Sequence, residues 1–350
     1  MEVNCEGCAG CCMDWRPLLD GEDDATAATR GTDAETEGKS EASYRRKRRR
    51  KPFGERDDDR ESAREPLDDD ANFVPLTRDE VRAFLEVGMA DALTPRFWDA
   101  RDERSGDASP GEDEGDGEGV DIDDHTVAAI AGRPVFFVGL RKPPKPVAPF
   151  GREEPTWLST CVFLDPTTLQ CRIHGSDRYP DECRAYPEHN LALEQATECE
   201  RVEAAFGGDR LLEADHDDPD GLLLGSQAIG AKLFCHPEPA ALEGIIDRAA
   251  SGDLTRADRA EAIAVAAGSS PGTLAISDHH YERAKAQVLE RTDNDGDSTA
   301  AEETAWVGPA IRDWTRRYRA AGETVPSPTV ADIVETDRGA PETPGWDDLE

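Results

Sequence analysis

The sequence predicts an α+β fold. It reads as a small cysteine-rich domain organised by metal, with a short β-hairpin and helices, disordered acidic inserts and a mainly helical C-terminal region. Three observations lead there. Nine cysteines cluster instead of scattering, four of them within residues 5–12. Helical and strand-like patterns mix between residues 72 and 200 and become mainly helical beyond. Hydrophobic residues make up only 37% of the 350, below the ~45–50% of a typical globular domain, so part of the chain is expected to stay unfolded.

The elements follow in order. Residues 1–18 carry Cys5, Cys8, Cys11 and Cys12, then Met13, Trp15 and Leu18. The stretch 19–71 loses nearly all apolar character and contains the basic run Arg45 to Lys51, so it reads as a disordered insert that splits the cysteine domain. Thr77-Arg78-Asp79-Glu80 is a capping box, and Val81, Phe84 and Leu85 follow at helical spacing, giving a helix of roughly three turns. Residues 101–124 hold eleven acids against two arginines and read as a mobile acidic loop.

Pro134 to Val138 reads as a strand, and Lys142 to Pro146 as extended chain. Two apolar runs, Cys161 to Leu164 and Leu169 to Ile173, flank Asp165-Pro166 and predict a β-hairpin with Cys161 and Cys171 at its open end. This completes a domain drawn from 1–18 and 72–200. Apolar residues then recur at helical spacing in three places across 201–322: Leu242 to Ala249, Tyr281 to Leu289 and Ile311 to Tyr318. Prolines and acids in 323–350 predict a disordered tail.

The formal charge is −36, and only seven of the 40 basic residues are lysines. Carboxylates hold water well and guanidinium groups suit ion pairs, so this balance reads as adaptation to a high-salt cytoplasm. It argues against general binding to nucleic acid or anionic membrane. No stretch approaches the ~20 apolar residues of a membrane span, and Met1 to Cys5 has no signal-peptide character. A cytoplasmic protein with reduced thiols is expected, in which clustered cysteines point to metal.

C-x2-C spacing lets two thiolates face one ion, and Cys5 to Cys12 repeats it, with Gly7 and Gly10 supplying positive φ. Zinc and an iron–sulfur cluster both accept four thiolates, so the spacing leaves the two open. Cys11 and Cys12 are adjacent. In extended backbone they point to opposite sides and would serve two metals, or one metal and a structural role, which calls for more ligands elsewhere. Cys161, Cys171, Cys183 and Cys199 supply them.

These residues resemble a known family. The C-x2-C-x2-C-C start, the C-x-F-L-D and C-x-I-H pieces at Cys161 and Cys171, and C-R-x-Y-P at Cys183 are similar to the YkgJ-type cysteine-cluster family of zinc- or iron-chelating domains. The resemblance covers residues 1–18 and roughly 72–200, and maps the family's eighth cysteine onto Cys199. Where the family often has Arg-Pro, this chain has Arg178-Tyr179-Pro180. The resemblance implies a zinc or iron (iron–sulfur) chelating protein of unassigned role. An alternative is an iron–sulfur-dependent enzyme of the redox or protein lysine methylation type, because some proteins resembling the family are described as flagellin lysine methylases.

Other residues carry plainer readings. Cys235 is expected as a small buried residue. His174 and His189 read as hydrogen-bonding or surface groups, and Arg172, Arg184 and Tyr186 as ion-pairing and packing residues beside the ligands. Glu6 and Asp177 could act as acid or base near a metal, but in a chain with 76 acids any carboxylate lies near something. No phosphate loop, nucleophile elbow or H-E-x-x-H motif occurs.

Overall fold

A computed structural model of the chain describes residues 2–19, 65–100, 119–213, 227–289, 306–322 and 324–346. The basic run 45–51, most of the 19–71 insert and residues 101–118 of the acidic loop lie outside the described residues.

The fold is mixed α and β. Strand β1 (Glu2–Val3) leads into the cysteine turn, and α1 (Arg78–Glu86) follows the first insert. Four strands come next: β2 (Leu93–Phe97), β3 (Gly119–Ile122), β4 (His125–Ile130) and β5 (Arg133–Leu140). A separate antiparallel ribbon pairs β6 (Pro144–Val147) with β7 (Thr156–Ser159). Three short helices, α2 (Asp181–Ala185), α3 (Glu188–Ala192) and α4 (Glu198–Phe206), precede β8 (Leu211–Glu213), which pairs with β1. Then come α5 (Ile229–Lys232), β9 (Phe234–Cys235), α6 (Ile245–Ala250), α7 (Arg256–Gly268), α8 (Asp278–Leu289), α9 (Val307–Ala321) and α10 (Ala331–Val334).

The expected Thr77 capping box forms: the Thr77 hydroxyl accepts from the Glu80 amide, and Glu80 accepts from the Thr77 amide at 2.7 Å. Its apolar residues Val81, Phe84 and Leu85 are buried, as their spacing requires. The β4–β5 connection is a two-residue turn in which Ala131 and Gly132 both take positive φ, the geometry that matches strand twist in tight hairpins.

Four expectations are corrected. The sheet is not one short hairpin: strands run β2-β5-β4-β3 with β9 also on β5, five in all. Part of the acidic loop is a strand, since Val120 and Ile122 of β3 pair with Val127 and His125. The hairpin expected over 161–173 contracts to a single bridge, Leu164 to Cys171, because Leu169 takes positive φ and tightens the chain into turns. The C-terminal segment 324–346 packs instead of trailing as a disordered tail: Ala331, Val334 and Ala340 are buried, and Glu335 is fully so. Its acid is the counter-charge to buried cations, a role that local composition does not reveal.

Nor does the core depend on thiols for apolar bulk. Phe84, Phe97, Phe136, Phe163, Trp306 and Trp314 are all essentially inaccessible to water. The centre is α7, in which Ala260 and every residue from Ala262 to Gly268 is buried. Its C-terminal half, Ala262 to Gly268, is apolar on all sides and so belongs inside. Its Thr255–Asp258 capping box fixes its start, and α8 packs along it.

Two carboxylates on α7 couple this packing to pH. Burial works against ionised Glu261, yet hydrogen bonds from His236, Lys285 and Tyr281 overcome it and hold the carboxyl at about 2. Asp258 is also held at about 2, chiefly by Arg248. A depressed folded-state pKa gives stability that is present above the unfolded value near 4 and lost as pH falls towards 2. Glu261→Gln is therefore expected to lower stability by about 1–3 kcal/mol at pH 7 and to have little effect at pH 2. Urea midpoints measured across that range check this. An equal cost at both pH values would reject it.

Candidate metal centre

The N-terminal cysteines are held by distant parts of the chain. The Asn4 amide donates to the Arg210 carbonyl at 2.7 Å, the Phe150 amide to Gly7, and the Asn72 side-chain amide to both Gly10 and Met13. The Cys161 amide donates to the Cys12 carbonyl at 2.7 Å, so Cys12 and Cys161 run side by side. The Cys183 helix, α2, is placed by Glu80: one carboxylate oxygen closes the α1 capping box, and the other accepts from the Asp181 amide at 2.8 Å. Cys199 sits in the first turn of α4, capped by Thr197 and Glu200.

The two glycines of the cysteine turn differ in role. Gly7 takes positive φ as expected, but at the second turn it is Ala9 that does so. Gly10 is required for contact instead: a Cβ there would lie 2.8 Å from Val202 of α4. The extended backbone expected at Cys11 and Cys12 is also corrected. Gly10–Cys12 is a turn of 3-10 helix, and the two sulfurs are 3.8 Å apart.

Eight of the nine cysteines meet in one region. Cys5, Cys8 and Cys199 feel one another and Cys11. Cys12 feels Cys161, Cys171 and Cys183, and each of these also feels Cys11. Cys11 is thus the hub between a set from the N-terminus and α4 and a set from residues 161–183. Cys235 stands apart on β9, opposite Val135, and no other cysteine bears on its thiol.

Burial raises these thiols, and their crowding adds to it. Cys171 is pushed up to about 12 by burial and then by Cys161. Cys5 also reaches about 12, because protein hems in its sulfur although the residue reaches the surface. Lys145 and Lys142 oppose the rise at Cys161. Without a cation the region holds neutral thiols, and a soft cation would have to displace their protons. Among the described residues, no three His, Cys, Asp or Glu side chains already stand in a metal-ligating arrangement.

Cys11, Cys12, Cys161, Cys171 and Cys183 open onto a cavity of about 430 Å³. Phe73, Trp98, Phe137 and Tyr179 also line it, with the Tyr179 hydroxyl donating to the Cys183 carbonyl at 3.4 Å. Arg96 and Lys142 also line it, tied to Asp68 and Asp70 respectively. Glu198 reaches it from α4, accepting from the Trp15 indole at 3.1 Å and paired with Arg201, while its backbone amide donates to the Tyr186 hydroxyl.

The carboxylates at the cavity are Glu182 and Glu198; Glu6 and Asp177 do not line it. Nor do His174, which packs on Tyr179, or His189. Arg172 ion-pairs with Glu335 and Asp165, in keeping with its expected packing role. Glu198 was missed by sequence reasoning, although its place between Thr197 and Cys199 in a second capping box was a usable signal.

Among the described residues no helix is long and apolar enough to cross a membrane. The model of a family of unknown function, DUF7531, matches residues 1–347, so the chain belongs to that family. No curated protein and no solved structure matches it.

Proposed function

We propose that this DUF7531 protein is a metal chelator that holds zinc, or iron (as an iron–sulfur cluster), on Cys5, Cys8, Cys11, Cys12, Cys161, Cys171, Cys183 and Cys199. The observation that carries the reading is the convergence of these eight thiols from four separate stretches of chain, with the ninth left out. Thiolates are soft donors that suit zinc and iron–sulfur centres. Eight of them suffice for two tetrahedral sites, or for one site and a cluster. The YkgJ-type resemblance of the same eight positions points the same way.

A second reading, an iron–sulfur-dependent enzyme, draws on the cavity. A space of about 430 Å³ walled by aromatic rings next to five of the thiols is in the size range of small-molecule sites. The chelation is tested by anaerobic purification with metal and sulfide analysis. About two zinc per chain in a colourless protein is the expected result for the first reading. Roughly four irons with labile sulfide and broad visible absorbance would identify the centre as an iron–sulfur cluster, which the second reading requires and the first also accommodates. A folded protein that neither retains nor takes up zinc or iron would overturn both.

A further inference from the structure

Six arginines line one open cavity of about 720 Å³: Arg141, Arg256, Arg259, Arg312, Arg316 and Arg319. Asp91 is the single acid among its lining residues. The chain as a whole carries 76 acids against 40 bases, so a pocket with six cations and one anion runs opposite to the molecule. All six cations are arginine, whose planar fork matches phosphate oxygens two at a time. The cavity shares no lining residue with the cysteine region.

The cations come from three elements. Arg141 follows β5, and Arg256 and Arg259 stand in the first turn of α7. Arg312, Arg316 and Arg319 recur along one face of α9 at spacings of four and three. The α7 pair sits where the helix dipole is already positive, which disfavours cations there. Burial first, and then Arg259, pull Arg141 down to about 9, so it stays charged at neutral pH while crowded by like charge. Helix α9 reaches this place only because residue 308 is glycine: a Cβ would fall 2.1 Å from an Asp91 carboxylate oxygen.

Few partners offset this charge. Arg256 donates to both Asp91 carboxylate oxygens at 3.1 Å, Arg141 donates to the Asp91 carbonyl at 3.1 Å, and Arg316 pairs with Asp313. The Nε atoms of Arg256 and Arg259 are buried without a hydrogen-bond partner. Among the described residues, Arg259, Arg312 and Arg319 make no ion pair. Setting Asp91 and Asp313 against six guanidinium groups leaves about four positive charges around one cavity; Asp258, which also acts on Arg259, is paired with Arg248, and Arg312, Arg316 and Arg319 are exposed to solvent. No aromatic ring lines it to stack on a base.

We propose that this cavity binds an oligophosphate, a ligand with linked phosphate groups and about four negative charges, recognised through those phosphates. It stands independently of the metal reading. The test is calorimetric titration of the full-length protein with inorganic tripolyphosphate in molar potassium chloride, where general surface attraction is screened to a Debye length of about 3 Å. One saturable site is expected. The double variant Arg259→Gln, Arg312→Gln is expected to weaken binding at least tenfold, while Arg283→Gln, an exposed arginine on α8, leaves it unchanged. Because the double variant relieves like-charge crowding, its ligand-free unfolding temperature should not fall, which separates lost binding from lost folding. Absence of saturable binding, equal affinity in the double variant, or an equal loss in Arg283→Gln would each overturn the proposal.

Discussion

Glu335→Ala is expected to destabilise the protein by about 3–5 kcal/mol, the cost of leaving buried charges without their partner. Glu335 is wholly inaccessible, as is the Lys145 ammonium that meets one of its oxygens at 2.7 Å. The same oxygen accepts from the Trp314 indole at 2.7 Å, and the other accepts from Arg172 at 2.9 Å. Lys145 spends its remaining protons on the Val162 and Leu164 carbonyls. One carboxylate thus joins β6, the turns that carry Cys161 and Cys171, α9 and the C-terminal segment. Glu335→Gln keeps the shape but not the charge, and should cost a comparable amount. The paired change Lys145→Met, Glu335→Leu should recover part of the loss, because it removes the Lys145 charge together with its partner while Arg172 keeps its pairing with Asp165. Denaturant midpoints for the three variants decide it. A loss below about 1 kcal/mol in Glu335→Ala would mean that the segment does not dock.

That network also marks the limit of what the sequence discloses. Lys145 and Glu335 lie far apart in the chain, and nothing around Glu335 sets it apart from the other acids in a proline-rich stretch. Thr77 and Glu80 were legible because a capping box needs only four residues. The same signature at Thr255–Asp258 begins α7, yet alanines on every face give that helix no apolar stripe to detect. Strand β2 contains Pro95 and Arg96, which hide its alternation; both are nevertheless buried, Arg96 against Asp68 and over Phe73. At the candidate site the local C-x2-C spacing was legible. The convergence of Cys199 with Cys5 and Cys8, and of Cys12 with Cys161, depends on tertiary contacts between residues well over a hundred positions apart.

Under the proposed chelation, the grouping of thiols predicts how metal would be lost. Serine substitution at Cys5, Cys8 or Cys199 should remove one metal equivalent and leave the other, and substitution at Cys12, Cys161, Cys171 or Cys183 should do the converse. Cys11→Ser should disturb both, because Cys11 bears on every member of the two sets. A structural zinc contributes about 10–16 kcal/mol of apparent binding free energy at neutral pH, as much as the ~5–15 kcal/mol net stability of a domain. Losing one equivalent should therefore lower the unfolding temperature sharply even with the apolar core intact. Cys235→Ser, on β9, serves as the control and should retain full metal. Metal content per chain and thermal unfolding across the nine single variants read both effects. If every cluster variant lost all its metal together, the eight thiols would form one indivisible centre, and the two-set grouping around Cys11 would be wrong.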